Sequence, residues 1–421
     1  MVMLKNQVTE MRLFRAWGNR PFALLWSGQA LSRIGDHLYE VALAWWVLQK
    51  SGSAGMMATV LIFAFAPRVL FSLLGGVVVD RYPRLPLMIG SDVVRGITVV
   101  IISFLALSGN LELWHVFALS LIFGLVDAFF QPAFTATVPA IVPEEDLSSA
   151  NSLTSFAIQG GRILGPPLGS GLIALGGVGL AFAFNGVTFF VSALFLLPLL
   201  RGEKQLLRHP SAQALPTQNR PNMLAEFKEG IQTVRQLPWL WISIALFAIS
   251  NIMLAGPYSV AMPFLVSDVL KADVKTLGLL YSMFAVGYVL GGIWLGQKPR
   301  LRRRGLLIYG GSLVAGLMLL LFGLPVGLPV LVAAALINGA ALEMGALAWT
   351  SILQDLVPRD KLGRVASVDM VGSLALLPIG FGLAGWATEM WGASTVFVMG
   401  GGVTAVLSFL AYQHPAIKNL D

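Results

Sequence analysis

The stretch Ser53-Ala-Gly-Met-Met-Ala-Thr-Val-Leu-Ile-Phe-Ala-Phe-Ala-Pro-Arg68-Val-Leu-Phe-Ser-Leu-Leu-Gly-Gly-Val-Val-Val79, followed by Asp80-Arg-Tyr-Pro-Arg84, decides the fold. Arg68 is the only charge in the run, and a charged cluster ends it. About 20 mainly apolar residues suffice for a helix to cross a bilayer. The run is too long and too uniformly apolar for the alternating, roughly ten-residue strand of a membrane barrel.

The pattern recurs along the whole chain. Apolar runs cover 22–48, 53–79, 85–107, 111–135, 149–173 and 174–200, then 239–266, 277–295, 306–324, 328–353, 365–386 and 393–412. The composition agrees: 421 residues, 56% hydrophobic, 12% charged. Soluble domains carry about 25% charge. The expected fold is an all-α polytopic membrane protein with twelve transmembrane helices in two pseudo-symmetric six-helix bundles. The expected domains are 1–200, a cytoplasmic linker at 201–237 with a short amphipathic helix near 224–237, and 238–421.

Charge sets the expected orientation. With the N-terminus inside, the outer loops receive only Lys50, Lys271 and Lys275, while Arg33, Arg68, Arg95 and Arg162 fall in or near spans. The other basic residues collect on the inner side, so both termini are expected in the cytoplasm of a bacterial inner membrane. This topological bias also accounts for the net charge of +7, and nucleic acid is not an expected partner. The basic run Arg300, Arg302, Arg303, Arg304 belongs to the same inner-loop pattern.

Several chemistries are excluded or unsupported. The chain has no cysteine, hence no disulfide or thiolate site. His37, His115, His209 and His414 have no metal-ligand spacing. No GxxxxGK[ST] loop is present to bind a nucleotide. No metal, cofactor or enzymatic activity is expected. Expected partners are membrane lipids, protons and a small amphipathic substrate, and the expected state is a monomer.

The two halves echo each other. Gly76-x-x-x-Asp80-x-x-Pro83-Arg84 answers Gly292-x-x-x-Gly296-x-x-Pro299-Arg300, and Val142-Pro-Glu-Glu-Asp-Leu147 answers Val357-Pro-Arg-Asp-Lys-Leu362. Asp127 and Glu343 occupy matching places late in the fourth run of each half. Repeated six-helix units point to a transporter whose halves rock about a central site.

These segments resemble the major facilitator superfamily over nearly the whole chain. Gly76–Arg84 resembles its loop signature. Gly161-x-x-x-Gly165-Pro166-Pro167-x-Gly169 resembles the glycine–proline pattern of its antiporter branches. The stretch from Phe22 to Ala44, with Trp26-x-Gly28-Gln29 and Gly35-Asp36, is similar to the bacterial drug:proton antiporter branch that holds macrolide efflux proteins and the enterobactin exporter. The resemblance implies a secondary active exporter of drug-like amphipaths, working as a proton-coupled antiporter by alternating access. A siderophore exporter, an uncoupled facilitator or lysolipid transporter, and a non-transporting sensor or scaffold remain as alternatives. It also implies that Asp80 and Arg84, with Arg81, latch the cytoplasmic ends.

An ionised residue in hydrocarbon is costly and marks a function or a partner. Arg33, Asp36 and Glu40 share one helix face and are candidates for proton coupling or substrate contact, with a structural Arg–Asp pair as the competing reading. Asp127, Arg162, Glu343 and Asp369 join that candidate set, Arg162 as a possible partner of Asp127 or Asp36. Asp92 and Arg95 are grouped with the gating residues. Arg68 either lines the route or reaches a membrane face. Gly28, Gly161, Gly165, Pro166 and Gly169 are read as helix-packing positions. Trp294 and Trp349 are candidates for an aromatic pocket wall, and Trp45, Trp46, Trp114, Trp239, Trp241, Trp386 and Trp391 for interfacial anchors.

Overall fold

The computed structural model describes residues 12–200, 223–298, 301–358, 361–418 and 420. Most of the 201–237 linker, the tail of the second loop copy at Pro299–Arg300, and Arg359–Asp360 lie outside the described residues. The side chain of Asp80 does too.

Among the described residues the chain is all helix, with no strand. The helices are α1 (Arg20–Ser51), α2 (Ala54–Arg81), α3 (Arg84–Leu107), α4 (Leu113–Ile141), α5 (Leu147–Leu200), α6 (Met223–Gln236), α7 (Pro238–Gly256), α8 (Val274–Gly296), α9 (Arg304–Leu321), α10 (Leu328–Leu356), α11 (Leu362–Leu374) and α12 (Leu377–Gln413). Nine segments among the described residues are long and apolar enough to cross a membrane. Large apolar side chains cover the outside: Leu175 is 83% exposed, Phe104 69% and Leu194 62%. Water would not tolerate so much apolar surface on a monomer; lipid does.

Local chemistry sets the breaks. Asn19 caps α1, its Oδ1 accepting from the Phe22 amide at 3.2 Å, while its Nδ2 donates to the Ile141 carbonyl at the end of α4. Asp273 caps α8 by accepting from the amides of Lys275 and Thr276. Within α5 the helix breaks at Gly176–Gly177, where Gly177 has φ +75°. Gly392, at φ +79°, breaks α12 in the same way. Both are left-handed conformations that glycine adopts without steric cost. Pro257 ends α7, and the chain continues through wider π turns to Val269. A proline that cannot donate to the helix ladder favours such a widening.

The chain forms two compact units. The first comprises Met1–Trp46 and Val60–Thr217. Here glycine permits close approach of α1 and α5. A Cβ on Gly161 would lie 2.9 Å from the Arg33 carbonyl, on Gly165 2.6 Å from the His37 Cβ, and on Gly169 2.8 Å from the Leu38 carbonyl oxygen. Pro166 is buried on the same helix. Farther along α5, Gly28 of α1 meets the Ser192 backbone, with 3.1 Å left for a Cβ, and Gly35 abuts Asn185 and Thr188. Membrane helices pack this way because small residues let backbones gain dispersion contact.

The second unit comprises Val47–Thr59 and Gln218–Asp421. In it Gly287 and Gly291 of α8 pack on Leu336 and Ala340 of α10, and Gly316 of α9 packs on Gly401 and Ala405 of α12. Its core at one end gathers Leu240, Tyr309, Trp349, Ile352 and Val365. The Glu389 carboxylate accepts from the Ser53 hydroxyl and, at 3.0 Å, from the Gly55 amide.

Adjacent glycines give a test. Gly160 faces open space, whereas Gly161 faces the α1 backbone. Gly160→Ala is expected to leave stability unchanged or raise it by up to about 1 kcal/mol, the helix preference for alanine. Gly161→Leu is expected to lower the thermal midpoint in detergent and the yield of monodisperse protein. Equal midpoints for the two variants would contradict the close α1–α5 contact.

Candidate functional site

The first unit holds a cluster of buried charge near the middle of its helices. Asp36 lies midway along α1, Arg68 midway along α2 and Asp127 midway along α4. Arg95 is about 16 Å along α3 from its start at 1.5 Å per residue.

Arg95 is the centre. Its Nη2 donates to Asp92 Oδ1 at 2.5 Å and its Nη1 to Asp127 Oδ1 at 3.3 Å. Asp92 is 0% exposed and Arg95 2%, so neither charge is solvated by bulk water. The guanidinium also lies over the rings of Phe130 at 4.2 Å, Phe189 at 4.7 Å and Phe123 at 5.8 Å. Cation–π attraction strengthens when water is excluded. Arg68 Nη2 completes Asp127 from the other side with an ion pair at 2.5 Å. That contact is not aligned as a hydrogen bond.

Two neutral residues extend the network. Ser192 Oγ donates to Asp92 Oδ2 at 2.7 Å, and Gln29 Nε2 donates to Ser192 Oγ at 2.9 Å. A continuous polar chain therefore runs Gln29–Ser192–Asp92–Arg95–Asp127–Arg68, through α1, α5, α3, α4 and α2.

Arg33 and Asp36 adjoin this chain. With the Gln131 amide turned so that its oxygen faces Arg33, it accepts from Nη2 at 2.8 Å and Nη1 at 3.2 Å. Asp36 sits in the field of Arg33 and Arg95, yet among the described residues none donates a hydrogen bond to its buried Oδ1. One turn on, His37 Nδ1 and Glu40 Oε2 are 2.8 Å apart, and Glu40 is exposed. Arg33 and Gln29 also help line a pocket between α1, α4 and α5 with Phe22, Trp26, Phe134 and Ile158. Trp26 is held in place by donating its Nε1 to the Leu153 carbonyl at 2.7 Å.

The structure redistributes several sequence expectations. Asp92 and Arg95 belong to the central cluster, whereas Arg84 bonds to the Ala136 carbonyl at 2.7 Å and Arg81 is exposed. Asp127 is engaged by Arg95 and Arg68, and the Arg162 charge bears on Glu40. Arg68, whose role the sequence left open, is an ion-pair partner. Ser192 carried no signal in sequence, since nothing in its neighbourhood is charged. In the second unit, Asp369 accepts from Trp349 Nε1 at 2.9 Å and Ser373 Oγ at 3.5 Å. Glu343 stands beside Gly292 in that unit. Trp349 is buried against Phe247 and Trp239. Trp294 is 53% exposed with the Lys298 ammonium 5.0 Å from its ring centre, so it is not a buried pocket wall. Trp46 is buried rather than interfacial. Arg304, at the start of α9, is buried and paired with Asp355 at 2.5 Å.

The family model "Major Facilitator Superfamily" matches residues 25–373 and 240–418. The chain belongs to the major facilitator superfamily. It is 24% identical over 403 residues to the macrolide efflux protein A of Streptococcus pyogenes, covering 95% of this chain and 97% of that protein. It is 26% identical over 414 residues to the multidrug efflux pump Tap of Mycolicibacterium fortuitum, covering 95% and 97%. A POT family transporter crystallised with 5-aminolevulinic acid shares the fold, with TM-score 0.73, 13% identity and coverage of 93% and 95%. The match to transporters, not enzymes, spans most of the chain.

Removing one member of a buried ion pair strands the other, which costs about 3–5 kcal/mol. Arg95→Ala is therefore expected to destabilise the protein on that scale, because it strands the buried Asp92 and leaves Asp127 with Arg68 alone. Arg68→Ala, at a half-exposed position, is expected to lower the detergent melting midpoint much less, since Asp127 keeps Arg95. Similar losses for the two would show that Asp92 does not depend on Arg95.

Proposed function

We propose that the protein is a twelve-span, proton-coupled exporter of small amphipathic molecules in the bacterial inner membrane, with both termini in the cytoplasm, acting as a monomer by alternating access. The span count is supported by helix lengths. Two of the nine apolar segments, Glu144–Leu200 and Leu362–Gln413, are long enough for two crossings and break at Gly177 and Gly392. The 32-residue α1 adds one more. Two six-helix bundles, 1–200 and 238–421, follow from that count and the internal repeat.

The observation that carries the coupling is the free oxygen of Asp36. Three arginines (Arg33, Arg68, Arg95) face three aspartates (Asp36, Asp92, Asp127), so the cluster is near neutral when all are ionised. Asp92 accepts hydrogen bonds on both oxygens, and Asp127 accepts one from Arg95 and holds Arg68 in an ion pair on its other oxygen. Asp36 Oδ1 accepts none among the described residues. A proton therefore meets least opposition at Asp36, and a carboxylate able to gain and lose a proton within the membrane is what gradient-driven exchange requires. Protonation leaves Arg33 and Arg95 less compensated and biases the helices toward the state in which cargo leaves. Cargo and proton then occupy the protein in alternation, and each weakens the other by the same factor.

Phe22, Trp26 and Phe134 place apolar side chains beside the polar chain, where helix separation would expose them to cargo. Such contact discriminates weakly between related shapes, which suits cargo of the kind named for the macrolide and multidrug efflux relatives. Glu40, Arg162, Glu343 and Asp369 are assigned as secondary positions on the substrate or proton path, and Asp80, Arg81 and Arg84 as the cytoplasmic latch.

Purified protein in proteoliposomes tests the reading, with a macrolide and ethidium as probes. An imposed pH gradient is expected to drive probe accumulation against its concentration. Asp36→Asn is expected to abolish that response while leaving downhill movement. Downhill flux indifferent to the gradient in the unmodified protein would make it a facilitator, and a gradient response that survives Asp36→Asn would remove Asp36 from the coupling.

A further inference from the structure

We infer that Ser192, oriented by Gln29, is a positioning residue that directs the exchanging proton to Asp36 by keeping Asp92 out of the exchange. This rests on the reading of Asp36 as the proton-exchanging carboxylate.

The geometry is specific about which way the serine hydroxyl points. Ser192 is 0% exposed and Gln29 4%. A hydroxyl has one proton to give and two lone pairs. Gln29 Nε2 can only donate, and it occupies a lone pair of Ser192 Oγ at 2.9 Å. The serine proton is then left for Asp92 Oδ2, at 2.7 Å. With Arg95 on Oδ1 at 2.5 Å, both oxygens of Asp92 act as acceptors. A hydrogen bond given to a carboxylate favours its ionised form, since the protonated acid accepts it less well.

Two arginines act on both acids, and Arg95 donates a hydrogen bond to Asp92. Asp36 faces Arg33 and His37 from its own helix, Arg95 from α3 and Asp127 from α4. Asp92 faces Arg95 from its own helix and Arg33 from α1. Arg68 of α2 reaches the cluster through Asp127, and Arg162 of α5 bears on Glu40. Arg33 and Arg95 therefore act on both acids. The neutral difference between them is the donated hydroxyl, which Asp92 has and Asp36 Oδ1 lacks. Ser192 thus adds a neutral donor on the oxygen of Asp92 that Arg95 does not hold, and so closes the remaining site for a proton on that carboxylate.

The test separates this role from a packing role. In proteoliposomes, Ser192→Ala is expected to retain binding of the ethidium probe. The pH midpoint of gradient-driven transport should rise by about one unit, roughly tenfold in proton affinity, because a second carboxylate now competes for the proton. Ser192→Thr keeps the hydroxyl and should restore the original midpoint. Gln29→Met removes the orienting amide without emptying the core, and should shift the midpoint in the same direction if Ser192→Ala does not insert. Infrared difference spectra give a second readout: the protonated-carboxyl band should be absent in Asp36→Asn and return in Asp36→Asn/Ser192→Ala. An unchanged midpoint in both Ser192→Ala and Gln29→Met, or no returning band in the double variant, would overturn the assignment of Ser192. Absence of any gradient response in the unmodified protein would instead overturn the reading of Asp36.

Discussion

A guanidinium enclosed by phenylalanine rings in the middle of a membrane helix cannot remain without anions, and the organisation of the first unit follows from that constraint on Arg95. Desolvating a charge costs several kcal/mol even after the protein relaxes. Asp92 from the same helix and Asp127 from α4 offset that cost by direct hydrogen bonds. Each aspartate then needs its second oxygen satisfied, which brings in Ser192 of α5 and Arg68 of α2. One buried cation therefore ties together four helices, and Gln29 adds the fifth.

The tie works only if the backbones are close. Serine has a short reach, and its hydroxyl meets both Gln29 and Asp92 because Gly28 lets α1 approach the Ser192 backbone. The glycines of α5 do the same on the opposite side of α1, where Arg33 and His37 lie against Gly161 and Gly165. Packing in lipid has little hydrophobic drive between helices, so close contact and polar pairing carry the association. Here the two act on the same helices, and the packing geometry sets which carboxylate oxygen is left without a donor.

Much of this could be read before any coordinates. The run from Ser53 to Val79 and its eleven echoes carry the helical membrane fold through hydropathy alone. The charged residues within the runs point to the cluster, because hydrocarbon makes each of them costly wherever it sits. Pairings are a different matter. Arg162 and Arg68 both lie in apolar helices with acids nearby in the chain, and only helix rotation and depth decide that Asp127 meets Arg68. Asp92 and Arg95 follow closely after the charged loop at Asp80, so linear proximity groups them with it; the helical rise carries them to mid-span. Ser192 is silent in sequence because a serine in a membrane helix most often bonds its own backbone. Trp294 misleads for a related reason, since periodicity does not tell a lipid-facing ring from a buried one.

The central claim is that a carboxylate inside the first unit exchanges a proton against cargo. Proton release on addition of ethidium to the purified protein, in lightly buffered detergent and followed with a pH-sensitive dye, measures this without membranes or gradients. The account predicts stoichiometric release near the titration midpoint of the site, vanishing when Asp36 is replaced by asparagine. Ethidium binding with no change in free proton concentration at any pH would contradict it.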